Sequence, residues 1–247
     1  MFMPIWLMIL IAYALLGGIW WLLIVPWLRQ GPGGNASVGL IWRLTKAFLR
    51  IWHRPTFVGR DHLANLAQGP VIVVANHTGA IDPFLIQSAT NRLIHFMMAR
   101  DMMVTGCDDL WSLVGVIPVD RTHMDTRAVR SALRHLRDGH VVGIFPEGHI
   151  TRPPGTLRPF SEGVGLLAGR TGATIVPCWI SETPDVDRVA GSLLRRSRSQ
   201  VVFLEPIRYE PDTPPAQIAQ SLRTTLADVS GWPCQETIMP GPESSSP

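Results

Sequence analysis

The chain has 247 residues, 46% of them hydrophobic and 17% charged, with a net charge of +3. That length allows one domain with a substantial core plus an appendage, and the composition leans toward membrane association without describing a polytopic protein. The positive charge is almost all arginine, Lys46 being the only lysine; basicity this mild excludes the dense basic stripe of a nucleic-acid binder and suits an anionic lipid surface.

Before the first charged side chain, Arg29, runs MFMPIWLMILIAYALLGGIWWLLIVPWL. The run is long enough to cross a bilayer core of roughly 30 Å, and it lacks the basic start and small-residue cleavage site of a signal peptide. Trp20, Trp21 and Trp27 suit an interfacial belt, and Arg29, Arg43, Lys46 and Arg50 follow only on the C-terminal side. The positive-inside rule then places the remainder in the cytoplasm. Pro4, Gly17, Gly18 and Pro26 leave a broken, half-inserted anchor as the other reading of residues 1–29. Within residues 30–54, Leu40, Ile41, Leu44, Phe48, Leu49 and Ile51 recur at helical spacing with basic residues between them. This is a basic amphipathic helix, lying either in the membrane interface or on the core of the following domain.

From about residue 55 to 231 the pattern is α/β. Apolar, β-branched runs at 71–74, 93–98, 116–119, 141–145, 174–180 and 201–207 alternate with helical stretches at 83–90, 125–137 and 161–170. Such alternation predicts a mixed, largely parallel sheet flanked by helices. A last helix near 216–229 precedes a tail, 232–247, of disordered composition. Cys107, Cys178 and Cys234 are widely spaced with no CxxC pair, which argues against a disulfide framework and for a reducing compartment.

Four segments carry candidate chemistry. In VIVVANHTGAIDPFLI (71–86) an apolar strand runs into Asn76-His77, and Asp82-Pro83 follows five residues later. Asp–Pro before an apolar periodic run predicts a helix start with Asp82 as its cap. Across the intervening turn the carboxylate can also reach the imidazole, holding its tautomer while the other ring nitrogen removes a proton. A capping aspartate beside an incidental loop histidine fits the same residues. GVIPVDR (115–121) ends a strand in Arg121, an arginine suited either to bidentate phosphate binding or to a surface ion pair. In VVGIFPEGHITR (141–152) a strand ends before Glu147 and Gly148, with His149 and Arg152 beyond; Glu147 can meet a substrate hydroxyl, organise arginines or simply turn the chain. GATIVPCWI (172–180) is an apolar run broken by Pro177, which suggests an edge strand or a bend near a cleft.

In this order and at these intervals the segments resemble the glycerolipid acyltransferase family, whose best-known members are 1-acylglycerol-3-phosphate acyltransferases. The likeness runs from about Phe57 to Ile207 and takes in FVGRDHL and PFSEGVGLLAGRTGA. It implies that His77 is the base deprotonating the acceptor hydroxyl and that Asp82 orients it. It implies further that Arg121 binds the acceptor phosphate, assisted by Glu147 and Gly148, and that Pro177 shapes the acyl-donor side; Asn76, His149 and Arg152 complete the expected substrate-binding set. The implied co-substrate is acyl-CoA or acyl-carrier protein, the acceptor a lysophospholipid in the membrane, and no cofactor or metal is required.

Two departures affect the acceptor. Gly79 stands where serine is common in the family, and FPEGHITR replaces the commonest form FPEGTR, which moves the arginine to Arg152. The longer form resembles enzymes that reacylate lysophosphatidylethanolamine; an ornithine lipid is a further acceptor of the same kind. The chain lacks a GxSxG nucleophile elbow, and its eight histidines have no HExxH spacing for a metal-dependent hydrolase. A catalytically silent lipid-binding protein is the remaining alternative, against which the intact His77 and Asp82 argue.

Overall fold

The computed structural model describes residues 4–64, 66, 69–122, 125–152, 154–186 and 189–235. The N-terminal helix α1 (Ile5–Ile19) passes through a wider π turn (Trp20–Ile24) into α2 (Val25–Arg29). Val25 N–H bonds back to the Trp20 carbonyl in the five-residue spacing of a π turn. Pro26 has no N–H to offer, and the widened turn before it lets the helix run on without a break. The 25 residues Ile5–Arg29 are long and apolar enough to cross a membrane, and most of their large side chains are exposed.

Helix α3 (Ala36–Trp52) is capped by Asn35, whose side chain accepts from the amides of Ser37 (2.8 Å) and Val38 (3.3 Å). It crosses α2 closely: a Cβ on Gly39 would stand 1.9 Å from the Leu28 carbonyl oxygen, so no larger residue fits there. Val38 and Leu49 are buried, whereas Leu40, Leu44, Phe48 and Ile51 stay exposed along another face. The core-packing reading of this helix therefore holds for one face, and the other presents its apolar side chains outward.

The remainder alternates β1 (Thr56–Val58), α4 (Asp61–Ala64), β2 (Val71–Ala75), α5 (Asp82–Ser88), β3 (Ile94–Ala99), α6 (Asp108–Leu113), β4 (Ile117–Val119), α7 (Thr126–Arg137), β5 (Val141–Ile144), α8 (Gly163–Thr171), β6 (Thr174–Ser181), α9 (Val189–Leu194), β7 (Gln200–Phe203) and α10 (Pro215–Ser230). The strands form one sheet in the order β1-β7-β6-β2-β5-β3-β4. Every pairing is parallel except β6 with β7. The central strands are buried along their length, as a parallel sheet covered on both faces requires. One face packs Ile72, Val74, Val142 and Ile175 against α7, α8 and α10. The other packs Val71, Val73, Ala75 and Val176 against Leu49 of α3 and Leu85 and Ile86 of α5.

Three expectations change. Pro177 is on no edge: β6 lies inside the sheet, with Pro177 in register with Val74. Its carbonyl accepts from Leu204 N–H at 2.9 Å, and because proline cannot return that bond the antiparallel ladder with β7 stops there. Strand β7 consequently ends at Phe203, short of the 201–207 run, with Ile207 making only an isolated bridge to Ile175. Residues 232–235, expected to open a disordered tail, are packed on the domain. Trp232 packs edge-on against Trp179 at 4.8 Å, and Gln235 N–H donates to Leu157. Residues 236–247 lie outside the described residues. The three cysteines are unpaired.

Candidate active site

His77 follows β2 and Glu147 follows β5, neighbouring parallel strands, so both leave the sheet at its carboxyl end, where open α/β sheets place ligands. Asn76 is fully buried, and its carboxamide extends the pairing of β2 with β6: Nδ2 donates to the Ile180 carbonyl and Oδ1 accepts from Ile180 N–H, both at 2.8 Å. Asn76 therefore anchors the loop from behind, away from any ligand surface.

The next side chain turns outward. His77 Nδ1 lies 2.9 Å from Oδ2 of Asp82, a residue with no solvent exposure. The same Oδ2 accepts from the amides of Thr78 (2.7 Å) and Gly79 (2.9 Å). The carboxylate thus folds back onto the loop and leaves the helix end uncapped, contrary to the expected capping role; Ile81 is the cap residue of α5. The imidazole stacks on Phe145, ring centroids 4.2 Å apart. With Nδ1 bound to the carboxylate, Nε2 is the ring nitrogen left for a ligand.

Glu147 holds this loop from the other side. Its Oε1 accepts from His77 N–H at 2.8 Å, and Oε2 accepts from the Thr151 hydroxyl and from Arg158 N–H. Thr151 N–H in turn donates to the His77 carbonyl at 2.9 Å. Burial pushes the Glu147 carboxyl up, while the bonds from Thr151, His77 and Arg158 pull it back. Arg152 donates to the carbonyls of Thr78 (2.8 Å) and Val186 (2.9 Å) and lies 3.4 Å from Asp185. Its guanidinium is engaged with backbone, so it braces the loop of the dyad.

Arg121 reaches the same region from the end of β4. It donates to the Gly148 carbonyl at 3.2 Å and forms an ion pair with Asp101. His149 is exposed beside it, and its imidazole is lowered by burial of part of the ring and by Arg121 and Arg158, against the opposing charge of Asp101. Pro177 is buried within the sheet, in register with Val74, three residues before His77. The structure thus gathers His77, Asp82, Glu147, Gly148, His149, Arg121 and Arg152 in one place and leaves Asn76 and Pro177 in supporting positions behind it. Sequence reasoning missed Asp101, which lies outside every motif, and passed over Thr78 and Thr151 within the two segments that contain them. At Gly79 a Cβ would meet Ser192 Oγ at 2.9 Å, so the neighbouring α9 hydroxyl already fills the space of the family serine.

A histidine with one nitrogen on a buried carboxylate and the other open, at the carboxyl end of a parallel sheet on an α/β scaffold, has the geometry a general base needs. The family model described as Acyltransferase matches residues 54–181, more than half of the chain, and the protein belongs to that family. Over 117 residues it is 32% identical to the 1-acyl-sn-glycerol-3-phosphate acyltransferase of Borreliella burgdorferi, the match covering 46% of each chain. Over 143 residues it is 25% identical to a chloroplastic 1-acyl-sn-glycerol-3-phosphate acyltransferase of Brassica napus, covering 56% of this chain and 41% of that one. The match thus spans less than half the length of these curated relatives. Among solved structures, the 1-acyl-sn-glycerophosphate (LPA) acyltransferase PlsC of Thermotoga maritima aligns with a TM-score of 0.60 at 17% identity, covering 76% of this chain and 79% of that one. That likeness is one of fold.

Proposed function

We propose that this protein transfers a fatty acyl chain from a thioester donor, acyl-CoA or acyl-carrier protein, to the free hydroxyl of a lysophospholipid, most simply 1-acylglycerol-3-phosphate giving phosphatidic acid. The observation that carries this reading is the His77–Asp82 pair, 2.9 Å apart, with Nε2 left for the acceptor. In the proposed step Nε2 takes the hydroxyl proton as that oxygen attacks the thioester carbonyl carbon. The tetrahedral intermediate collapses with loss of the thiolate, which recovers the proton from the imidazolium, giving an ester and a free thiol. Asp82 holds the tautomer and offsets the transient charge. Arg121 would bind the acceptor phosphate beside Gly148 and His149, exchanging its Asp101 partner for it. Glu147 and Arg152 fix the loop that presents His77. The helix Ile5–Arg29 would anchor the enzyme in the membrane with the catalytic domain on the cytoplasmic face.

Asp101 favours a second acceptor. A zwitterionic headgroup such as that of lysophosphatidylethanolamine would set its phosphate on Arg121 and its ammonium on the neighbouring Asp101 carboxylate.

The test offers labelled acyl-CoA and acyl-carrier protein to detergent-solubilised protein with a panel of lysolipids, His77→Ala running beside the wild type. Transfer to lysophosphatidic acid that vanishes in the variant supports the reading. Transfer to lysophosphatidylethanolamine alone keeps the reaction and moves the acceptor to the second reading. No transfer by folded wild-type protein overturns both.

A further inference from the structure

Three histidines converge at the opposite end of the sheet from His77. His95 is the second residue of β3, His135 lies in the last turn of α7, and His140 immediately precedes β5. One ring nitrogen from each lies within 4.8 Å of those of the other two. His135 Nδ1 is 3.4 Å from His140 Nδ1. Imidazole nitrogens bound tetrahedrally at about 2.0–2.1 Å from a zinc ion stand about 3.3–3.4 Å from each other. This pair is already set at that spacing.

His95 is prepared in a different way. Its Nδ1 donates to the Gly115 carbonyl at 2.8 Å, which fixes the tautomer and leaves the Nε2 lone pair available. Histidine ligands are held by a bond of this kind. The seat is tight: Gly115 has φ +70°, and a Cβ there would stand 2.4 Å from His95 Nδ1. The His95 and His135 rings stack at 3.9 Å, and His140 is tilted against both. His95 is buried, His135 half-buried and His140 exposed, so the cluster is closed at its base and open to solvent at its mouth. It also sits at the carboxyl end of α7, where the helix carbonyls favour a cation and where Asp138 opposes the charge of Arg134 beside His135.

We propose that His95, His135 and His140 bind one divalent transition-metal ion of the zinc class, with water completing a tetrahedron. Three imidazoles select such an ion over magnesium or calcium, which take oxygen donors. The ion ties the end of α7 and the turn into β5 to β3, a structural role at the far end of the sheet from His77. The sequence hides the site because no short ligand spacing links His95 to the other two.

The test is equilibrium dialysis of the full-length, detergent-solubilised protein, free of any histidine tag, against Zn²⁺ and, separately, Co²⁺. Wild type should bind one ion per chain, with the intense visible absorption of four-coordinate Co²⁺, and zinc should raise its melting temperature. His140→Ala alters only the exposed corner and should weaken binding about tenfold or more, while His62→Gln, outside the cluster, should bind as wild type does. His135→Ala provides an independent second loss of a ligand. Wild type that takes up no ion at micromolar free metal, or His140→Ala that binds as tightly as wild type, would overturn the proposal. Neither result depends on transferase activity.

Discussion

Asp82 collects three N–H groups on a single carboxylate oxygen, from the His77 ring and from the amides of Thr78 and Gly79. An asparagine can offer one oxygen to the same donors, so Asp82→Asn should keep the loop geometry while removing the charge that offsets a protonated imidazole. We expect transfer to fall about 100-fold or more, with stability lowered by about 1–3 kcal/mol from weakened charge-assisted bonds. Turnover within tenfold of wild type would remove the carboxylate's charge from the mechanism. Glu147→Ala would act differently, by leaving the partly buried amides of His77 and Arg158 without their acceptor. It should cost about 1–3 kcal/mol in denaturant unfolding and lower turnover with little change in the Michaelis constant for the acceptor; a change confined to that constant would place Glu147 on the substrate instead. At this scale the sequence was only partly readable. The pairing of His77 with Asp82 was one of the two arrangements that a strand–turn–helix reading of this loop left open. The work of Asn76, Glu147 and Arg152 as braces was not legible, because each bonds to backbone distant in the chain, at Ile180, His77 and Val186, and sequence spacing carries no information about such partners.

The elements were more legible than their edges. β2, β5 and β6 declare themselves as short apolar runs because both faces of the sheet are covered, and α7 declares itself through Asp125, whose side chain caps it by accepting from Arg127 and Ala128 amides. The position of β6 inside the sheet was misread because proline's usual confinement to edges applies to its missing donor, and here that donor is missing only on the side where β7 ends. The junction of α3 with the rest of the fold depends on His53, which is fully buried after the helix end. Its ring bonds to the Ser197 hydroxyl at 2.8 Å and to the Leu193 carbonyl at 3.0 Å. Burial lowers this imidazole below its ordinary value of 6.5, against the raising effect of the Leu193 bond. A depressed folded-state value means that the unfolded chain takes up the proton first as pH falls. The stabilisation is therefore fully present above about 6.5 and is lost as pH drops below it toward the folded value. The melting temperature should fall between pH 7.5 and 5.5, and by less in His53→Gln; equal slopes for the two proteins would show that His53 contributes none of the dependence.

At the scale of the molecule, the apolar surface and the dyad are joined through one chain of packing. The exposed helix Ile5–Arg29 continues into α3, with Arg43 stacked over Trp27 and bonded to its carbonyl. α3 packs on α5, where Trp42 Nε1 donates to the Gln87 carbonyl at 3.1 Å, and Asp82 opens α5. A helix held in the membrane interface by Leu40, Leu44, Phe48 and Ile51 would thus fix how His77 meets a lipid, beyond merely keeping the enzyme nearby. Composition marked Ile5–Arg29 as long and apolar enough to cross a membrane, yet this coupling was not readable in it, because the exposed and buried faces of α3 are set by what Leu28 and α5 cover. Leu44→Glu combined with Phe48→Glu changes only exposed side chains and leaves the anchor and the dyad untouched. Apolar burial contributes about 1.5–3 kcal/mol per fully buried large side chain, and interfacial insertion captures part of that for each of the two. Docking of the domain should weaken by about 2 kcal/mol, or roughly 30-fold. In reconstituted vesicles transfer should therefore fall at least tenfold, while the rate on a short-chain acceptor in detergent micelles stays near that of wild type. Equal losses in both media would mean that the substitutions damaged the fold. Equal rates in both would mean that α3 stands clear of the bilayer and that the N-terminal helix alone tethers a freely oriented domain.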